Sequence, residues 1–346
     1  RNRSSAKSRD GSRRPPNSTP SGIFVLGLPF ALVRSGYVGL ALMVLSAWVC
    51  NHTGRILVAC LRGSDSVLKV RVRHSYQDIV EVTCKGLWAK WPGVGRWMIN
   101  VAQSTYSIYN IDIITPNLFS LLVMLYCLSR ANSWSWSSLP LSVDPEDFLV
   151  SVGVIIFSYT SQIFLPSLEG SMEDRGQFNA MLGWTHGAAC IMKTMFSLLA
   201  VLTWGAETSE VITDNLPSNF RPLVNMCLLA KALLSYPLPF YSATEILQNA
   251  GGRGLSCPAL LVRGALLMTS YLLALLVPRF SLLMGLTGSV TGSAMSLILP
   301  CLLHLRLQWG RLTARERLLD VCILVLGAIC SVCGVICSVR RLVEGV

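Results

Sequence analysis

The sequence predicts an all-α integral membrane protein built as a single unit. Three observations carry that reading. Of 346 residues, 52% are hydrophobic and only 14% charged, and the mean hydropathy is +0.53; soluble domains average about 25% charged residues. About nine apolar segments recur between residues 22 and 338, most of them long enough to cross a hydrocarbon core of about 30 Å as a helix. The 29 Lys and Arg residues divide unevenly between alternate connections, nineteen on one side and six on the other. That is the positive-inside bias, which places the N-terminus in the cytoplasm and, after nine crossings, the C-terminus in the lumen or outside. The same distribution explains the net charge of +11 without a nucleic acid partner.

Residues 1–21 are basic and rich in Ser and Pro, the composition of a disordered cytoplasmic tail. The transmembrane domain then runs over 22–340. Its apolar segments fall at about 22–33, 38–61, 111–129, 148–168, 181–204, 222–246, 259–277, 280–303 and 318–338. The first is too short to span alone. Between 62 and 110 lies an atypically long polar connection, in which His74–Trp88 has the pattern of an interfacial helix flanked by Trp anchors. In the segment 280–303, Gly288-Ser-Val-Thr-Gly292 is a small-xxx-small pattern that permits close helix approach, either as a sliding contact or as plain tight packing.

Two segments depart from uniform apolarity. The run 151–170 carries Ser158, Tyr159, Thr160, Ser161 and Gln162 at its centre and Pro166 just beyond. Hydrocarbon cannot satisfy those groups, and proline removes a helix hydrogen bond. The segment 22–33 carries Gly22, Gly27 and Pro29 around Ile23, Phe24, Val25 and Leu26. A pair of interrupted segments is a pointer to a transport site, because unwound backbone offers N–H groups to a carboxylate and C=O groups to an ammonium. The alternative is that Gly and Pro are simply common in membrane helices.

Lys231 and Lys193 lie about two turns inside apolar segments. Each is either a functional charge, with Lys231 the stronger candidate for coupling, or a side chain that snorkels to an interface. Glu169 and Glu245 sit near segment ends and are expected to be wetted. The four histidines (His52, His74, His186 and His304) are far apart in sequence and read as interface residues. Cys330, Cys333 and Cys337 read as packed thiols rather than metal ligands. There is no HExxH, GxSxG or Walker sequence, so neither an enzyme nor a cofactor or metal is implied.

The runs GIFVLGLPFAL (22–32), FSYTSQIFLPSLEG (157–170), TWGAETSEVITDNLP (203–217), AKALLSYPLPF (230–240) and LLMGLTGSVTG (282–292) closely resemble vesicular members of the amino acid/auxin permease family. The likeness covers about 22–103 and 117–340. It implies a leucine-transporter-type bundle of two inverted five-helix repeats plus an eleventh helix. It also implies secondary active transport of small neutral amino acids, of the GABA or glycine type, into synaptic-type vesicles. The implied drive is the proton electrochemical gradient, with chloride co-transport as an alternative. Carried over by position, substrate would be held by Gly22, Ile23, Phe24, Val25, Leu26 and Gly27 on the first helix. On the sixth it would be held by Phe157, Ser158, Tyr159, Thr160, Ser161 and Gln162. The chain departs from the family pattern where Gly93–Gln103 resembles the start of helix three and, after Ser104–Pro116, the stretch from Asn117 resembles the end of helix five. Much of helices three to five is then absent and the first repeat incomplete. A transport-incompetent homologue acting as a sensor or partner is the second expectation.

Overall fold

A computed structural model describes residues 23–61, 114–134, 144–162, 165–172, 175–235, 259–276 and 280–344. The expected tail, Gly22, the connection 62–110 with its interfacial helix, and Glu245 lie outside the described residues. Among those described, all regular structure is helical. In chain order the α-helices are α1 (Leu28–Ala59), α2 (Ile114–Ser129), α3 (Pro145–Ser158), α4 (Leu165–Ser171), α5 (Phe178–Trp204), α6 (Arg221–Ser235), α7 (Ala259–Leu276), α8 (Phe280–Thr287), α9 (Leu299–Gln308) and α10 (Ala314–Glu344). Two π-helical stretches, Gly288–Gly292 and Ala294–Ile298, join α8 to α9. Among the described residues, four helical stretches are long and apolar enough to cross a membrane: Val25–Ala59, Phe178–Glu207, Ser281–Gln308 and Ala314–Glu344.

The first two predicted segments are one continuous element. A 3₁₀ turn, Ile23–Gly27, runs straight into α1, with Pro29 in the first helical turn where its missing N–H costs nothing. The division expected near residue 34 is instead a kink at Gly36, whose φ of 59° and ψ of −153° suit a residue without a Cβ. α1 packs against α5 and α3, and α3 packs in turn against α8 and α10.

The crossing of α3 with the α8 region is close enough to exclude side chains. A Cβ on Gly288 would lie 2.1 Å from the carbonyl oxygen of Gly153, and one on Gly153 would lie 2.5 Å from that of Gly285. This is the small-residue contact the sequence pattern predicts. α10 is the most outlying long helix, with only 22% of its apolar window buried. Val325, Ile329, Val332 and Ile336 on it are exposed, a face suited to lipid.

The two ends of α10 meet different partners. At its start, Thr313 and Glu316 form a reciprocal capping box, with Thr313 N donating to Glu316 Oε2 at 2.9 Å. At its far end Arg341 donates to Asp144 at 2.6 Å and to Glu146 at 3.2 Å. Asp144 caps α3, and Glu146 and Asp147 lie in its first turn. Acids at a helix N-terminus and bases at a helix C-terminus each complement the local dipole. Arg34 of α1 completes this network through Asp147, at 2.5 Å.

Candidate functional site

The helix predicted to break does so. α3 ends at Ser158, and Tyr159 to Gln162 leave the helix before α4 begins at Leu165. A helix ending inside a bundle exposes its last four carbonyls, which need partners that the membrane cannot supply. Here each is satisfied by the chain. The Ile155 carbonyl accepts from Ser158 Oγ at 2.7 Å, and that of Ile156 from Tyr159 N at 3.1 Å and Thr160 Oγ1 at 3.2 Å. The Phe157 carbonyl accepts from Thr160 N at 3.1 Å, and the Ser158 carbonyl accepts from Lys193 Nζ.

Lys193 is therefore the cation at the negative end of α3. It is 1% exposed, and its ammonium lies 4.2 Å from the centre of the Tyr159 ring. The snorkelling account does not hold for it. Lys231, the stronger candidate in the sequence, lies on α6, but its side chain is outside the described residues.

Gln162 organises the rest of the break. Its Nε2 donates to Thr53 Oγ1 at 3.1 Å and to the Cys50 carbonyl at 3.3 Å. A carbonyl can only accept, which fixes the orientation of the amide. Its Oε1 accepts from Ser161 N at 2.9 Å. Ser296 Oγ lies 3.0 Å from both Gln162 Oε1 and Thr160 Oγ1. Ser296 belongs to the second π-helical stretch, a distortion often found at functional sites. This node ties α1, the break and the α8–α9 region together at one point.

The structure brings the two predicted halves together only in part. The 3₁₀ turn Ile23–Gly27 packs against α3, and Val25, Leu26 and Gly27 are buried. Phe157, Ser158, Tyr159, Thr160, Ser161 and Gln162 are all buried at the break. Gly27, however, lines a separate cavity of about 70 Å³, with Arg34, Asp147 and Glu210 also on its wall. That is room for a few water molecules. Of the polar side chains at the break, Ser161 keeps a hydroxyl without a partner among the described residues. Ser197, one turn beyond Lys193 on α5, and Ser293 in the bent region between the two π-helical stretches do the same. These hydroxyls retain hydrogen-bonding capacity for a polar ligand.

Comparison with known proteins agrees with this architecture. The family described as transmembrane amino acid transporter protein matches residues 18–115 and 102–340. The chain belongs to that transmembrane amino acid transporter family. It is 41% identical over 390 positions to a vesicular inhibitory amino acid transporter of Xenopus laevis, covering 93% of this chain and 75% of that protein. The Homo sapiens protein of the same name is 40% identical over 390 positions, with 93% and 74% covered. A vesicular GABA transporter of Caenorhabditis elegans is 33% identical over 385 positions, with 94% and 78% covered. The alignment to the Xenopus protein is longer than this whole chain of 346 residues, so the relative carries internal residues that this chain lacks. The two family matches overlap at 102–115, where the sequence places the missing part of helices three to five.

Four residues play parts that the sequence does not show: Lys193, Ser296, Thr53 and Glu169. Lys193 is only one of two candidate lysines in the sequence, and its position one helix beyond a polar break is the signal that favours it. Ser296 and Thr53 gave none, because hydroxyls are common in membrane helices. Glu169, expected to be wetted, is 1% exposed.

Proposed function

We propose that this chain is built to move small neutral amino acids, of the GABA or glycine type, across a vesicle membrane using the proton electrochemical gradient. The observation that carries the reading is the polar break of α3 at Tyr159–Gln162, buried against α1 and α5 and supplied with a cation by Lys193. A zwitterion needs a positive group for its carboxylate and free carbonyls or hydroxyls for its ammonium. Lys193 supplies the first, and the hydroxyls of Ser161, Ser197 and Ser293 are available for the second. The names of the relatives support the substrate class and the vesicular location.

In this reading the bundle is of the leucine-transporter type, with the two interrupted segments 22–27 and 157–162 in corresponding repeats. The N-terminus is cytoplasmic and the C-terminus lumenal. Substrate entering the break displaces hydrogen bonds that the chain now makes with itself. Gln162 then exchanges its hold on α1 for a ligand contact, and α1 is free to move.

The test is uptake of labelled GABA and glycine into proteoliposomes under an imposed proton gradient, with the segment present in the relatives restored between residues 103 and 117. Ser158→Ala and Tyr159→Phe should lower uptake. No uptake of any amino acid by the restored protein sinks the proposal. A second reading is favoured by the overlap of the family matches at 102–115. In it this shorter form binds ligand, or an intact relative, without flux. It predicts binding or co-purification by the unrestored chain while its uptake stays at background.

A further inference from the structure

A second buried polar cluster lies between α1, α9 and α10, on the turn of α1 that Gln162 also contacts. Asp320 is 1% exposed. Its Oδ2 is 2.6 Å from His304 Nδ1, and its Oδ1 is 3.1 Å from His52 Nε2. Three helices each contribute one titratable group to a single contact, against the expectation that these histidines are interface residues. We propose that His52, Asp320 and His304 form a proton-binding site that clasps the end of α1 to the α9–α10 hairpin. The site stands on its own geometry, and only its role in coupling rests on the transporter reading.

The argument is one of charge. With both imidazoles neutral, each donates one N–H to the carboxylate and the cluster carries a net charge of minus one. One added proton brings the total to zero, and a second makes it positive. Burial favours the neutral total, because an uncompensated charge is costly away from water. The site therefore holds one exchangeable proton. His52 is its entrance, since its side chain is 24% exposed against 8% for His304. Among the described residues, the surrounding groups do not compete for that role. Cys60 of the α1 end and Cys301 of α9 are thiols, uncharged in neutral solution. Glu316 on α10 is within electrostatic reach of His304 and Asp320, but its carboxylate is held by Thr313.

The position gives the proton leverage. The bond from His304 joins neighbours within a hairpin, whereas the bond from His52 crosses to a distant helix. Gln308 reinforces the crossing by donating to the Ala59 carbonyl at 3.2 Å. The same turn of α1 is gripped from the node by Gln162, at Cys50 and Thr53. Loss of the proton leaves a buried anion between two neutral rings, so the clasp on α1 weakens. A bound proton closes it.

The experiment is NMR of the full chain in nanodiscs with ¹⁵N-labelled histidine, titrated between pH 5 and 8, with hydrogen exchange on the same samples. The ring signals of His52 and His304 are expected to move through shared steps, and Asp320→Asn to make them independent. Amide exchange at residues 58–61, corrected for its intrinsic pH dependence, should rise as the proton leaves. Independent titration of the two rings in the native chain overturns the proposal, as does an unaltered His304 curve in Asp320→Asn. If that variant does not fold, His52→Gln serves, because its side chain is partly exposed. It should reduce His304 to a single step, and an unchanged His304 curve overturns the proposal equally. None of these readouts requires transport, so the transport reading can fail while the proton site stands.

Discussion

The two ends of the bundle are fastened by opposite electrostatic devices. At one end Arg34, Arg340 and Arg341 meet Asp144, Glu146 and Asp147, with side-chain exposures from 16% to 61%. At the other a single carboxylate, Asp320, sits 1% exposed between two imidazoles. Some twenty residues of α10 separate them, about 30 Å of helix at 1.5 Å per residue, which matches the thickness of a hydrocarbon core. Most members of the arginine end have a second partner. Among the described residues, the histidine end has one acceptor and no substitute for it. The first is robust and indifferent to protons; the second is vulnerable and responsive to them.

The strongest test of that contrast lies between the ends. Gly288→Val would push a side chain into the carbonyl of Gly153, 2.1 Å from the position of its first carbon. Because α3 reaches from the arginine network to the break, its displacement should loosen both ends together. A loss of about 3 kcal/mol or more is expected, read as the largest fall in melting midpoint of the series in detergent. A fall smaller than that of any end variant would show that the ends, and not the crossing, set the geometry.

Asp320→Ala comes next. It strands two imidazoles at a buried site and should cost about 2–3 kcal/mol. The same thermal melt checks it, and the cost should persist in 1 M salt, where the Debye length is about 3 Å, since burial shields the contact from screening. A cost that vanishes with salt would mean that the histidine end behaves like a surface.

Much of this architecture was legible in the sequence, for physical reasons that differ between the regions. The apolar runs and the α3 break could be read because Ser158 to Gln162 violate the requirement that a membrane segment satisfy its own backbone. The Gly288–Gly292 contact could be read because small residues have few other uses at helical spacing. The histidine cluster could not. His52 and Asp320 are 268 residues apart, each sits near the end of an apolar run, and a residue near an end looks wet until the neighbouring helix is placed. Arg340 and Arg341 were visible only as counted charges, because their partners lie nearly two hundred residues away. Lys193 fell between the two cases: its depth was visible, but the carbonyl it serves was not.

At the arginine end, Arg341→Ala should cost about 1 kcal/mol. Arg341 is the hub, contacting Asp144, Glu146 and Asp147. Its removal leaves three carboxylates to repel one another over the start of α3. Part of that cost should disappear in high salt, unlike the cost of Asp320→Ala. A salt-independent loss would place Arg341 with the buried contacts and erase the distinction between the ends.

Arg34→Ala should have the smallest effect, below about 0.5 kcal/mol. Its guanidinium side chain is 48% exposed, and its partner Asp147 keeps Arg341 at 2.9 Å when Arg34 is gone. The variant probes redundancy directly, since stability should barely change while the cavity beside Gly27, which Arg34 helps to line, becomes wider. Melting midpoint and water access to that cavity, followed by reactivity of a cysteine placed at Phe30, should therefore separate. Faster labelling with an unchanged midpoint supports a redundant network that also covers the cavity mouth. A marked loss of stability instead would show that Arg34 bears load that Arg341 cannot take over, making the arginine end as singular as the histidine end.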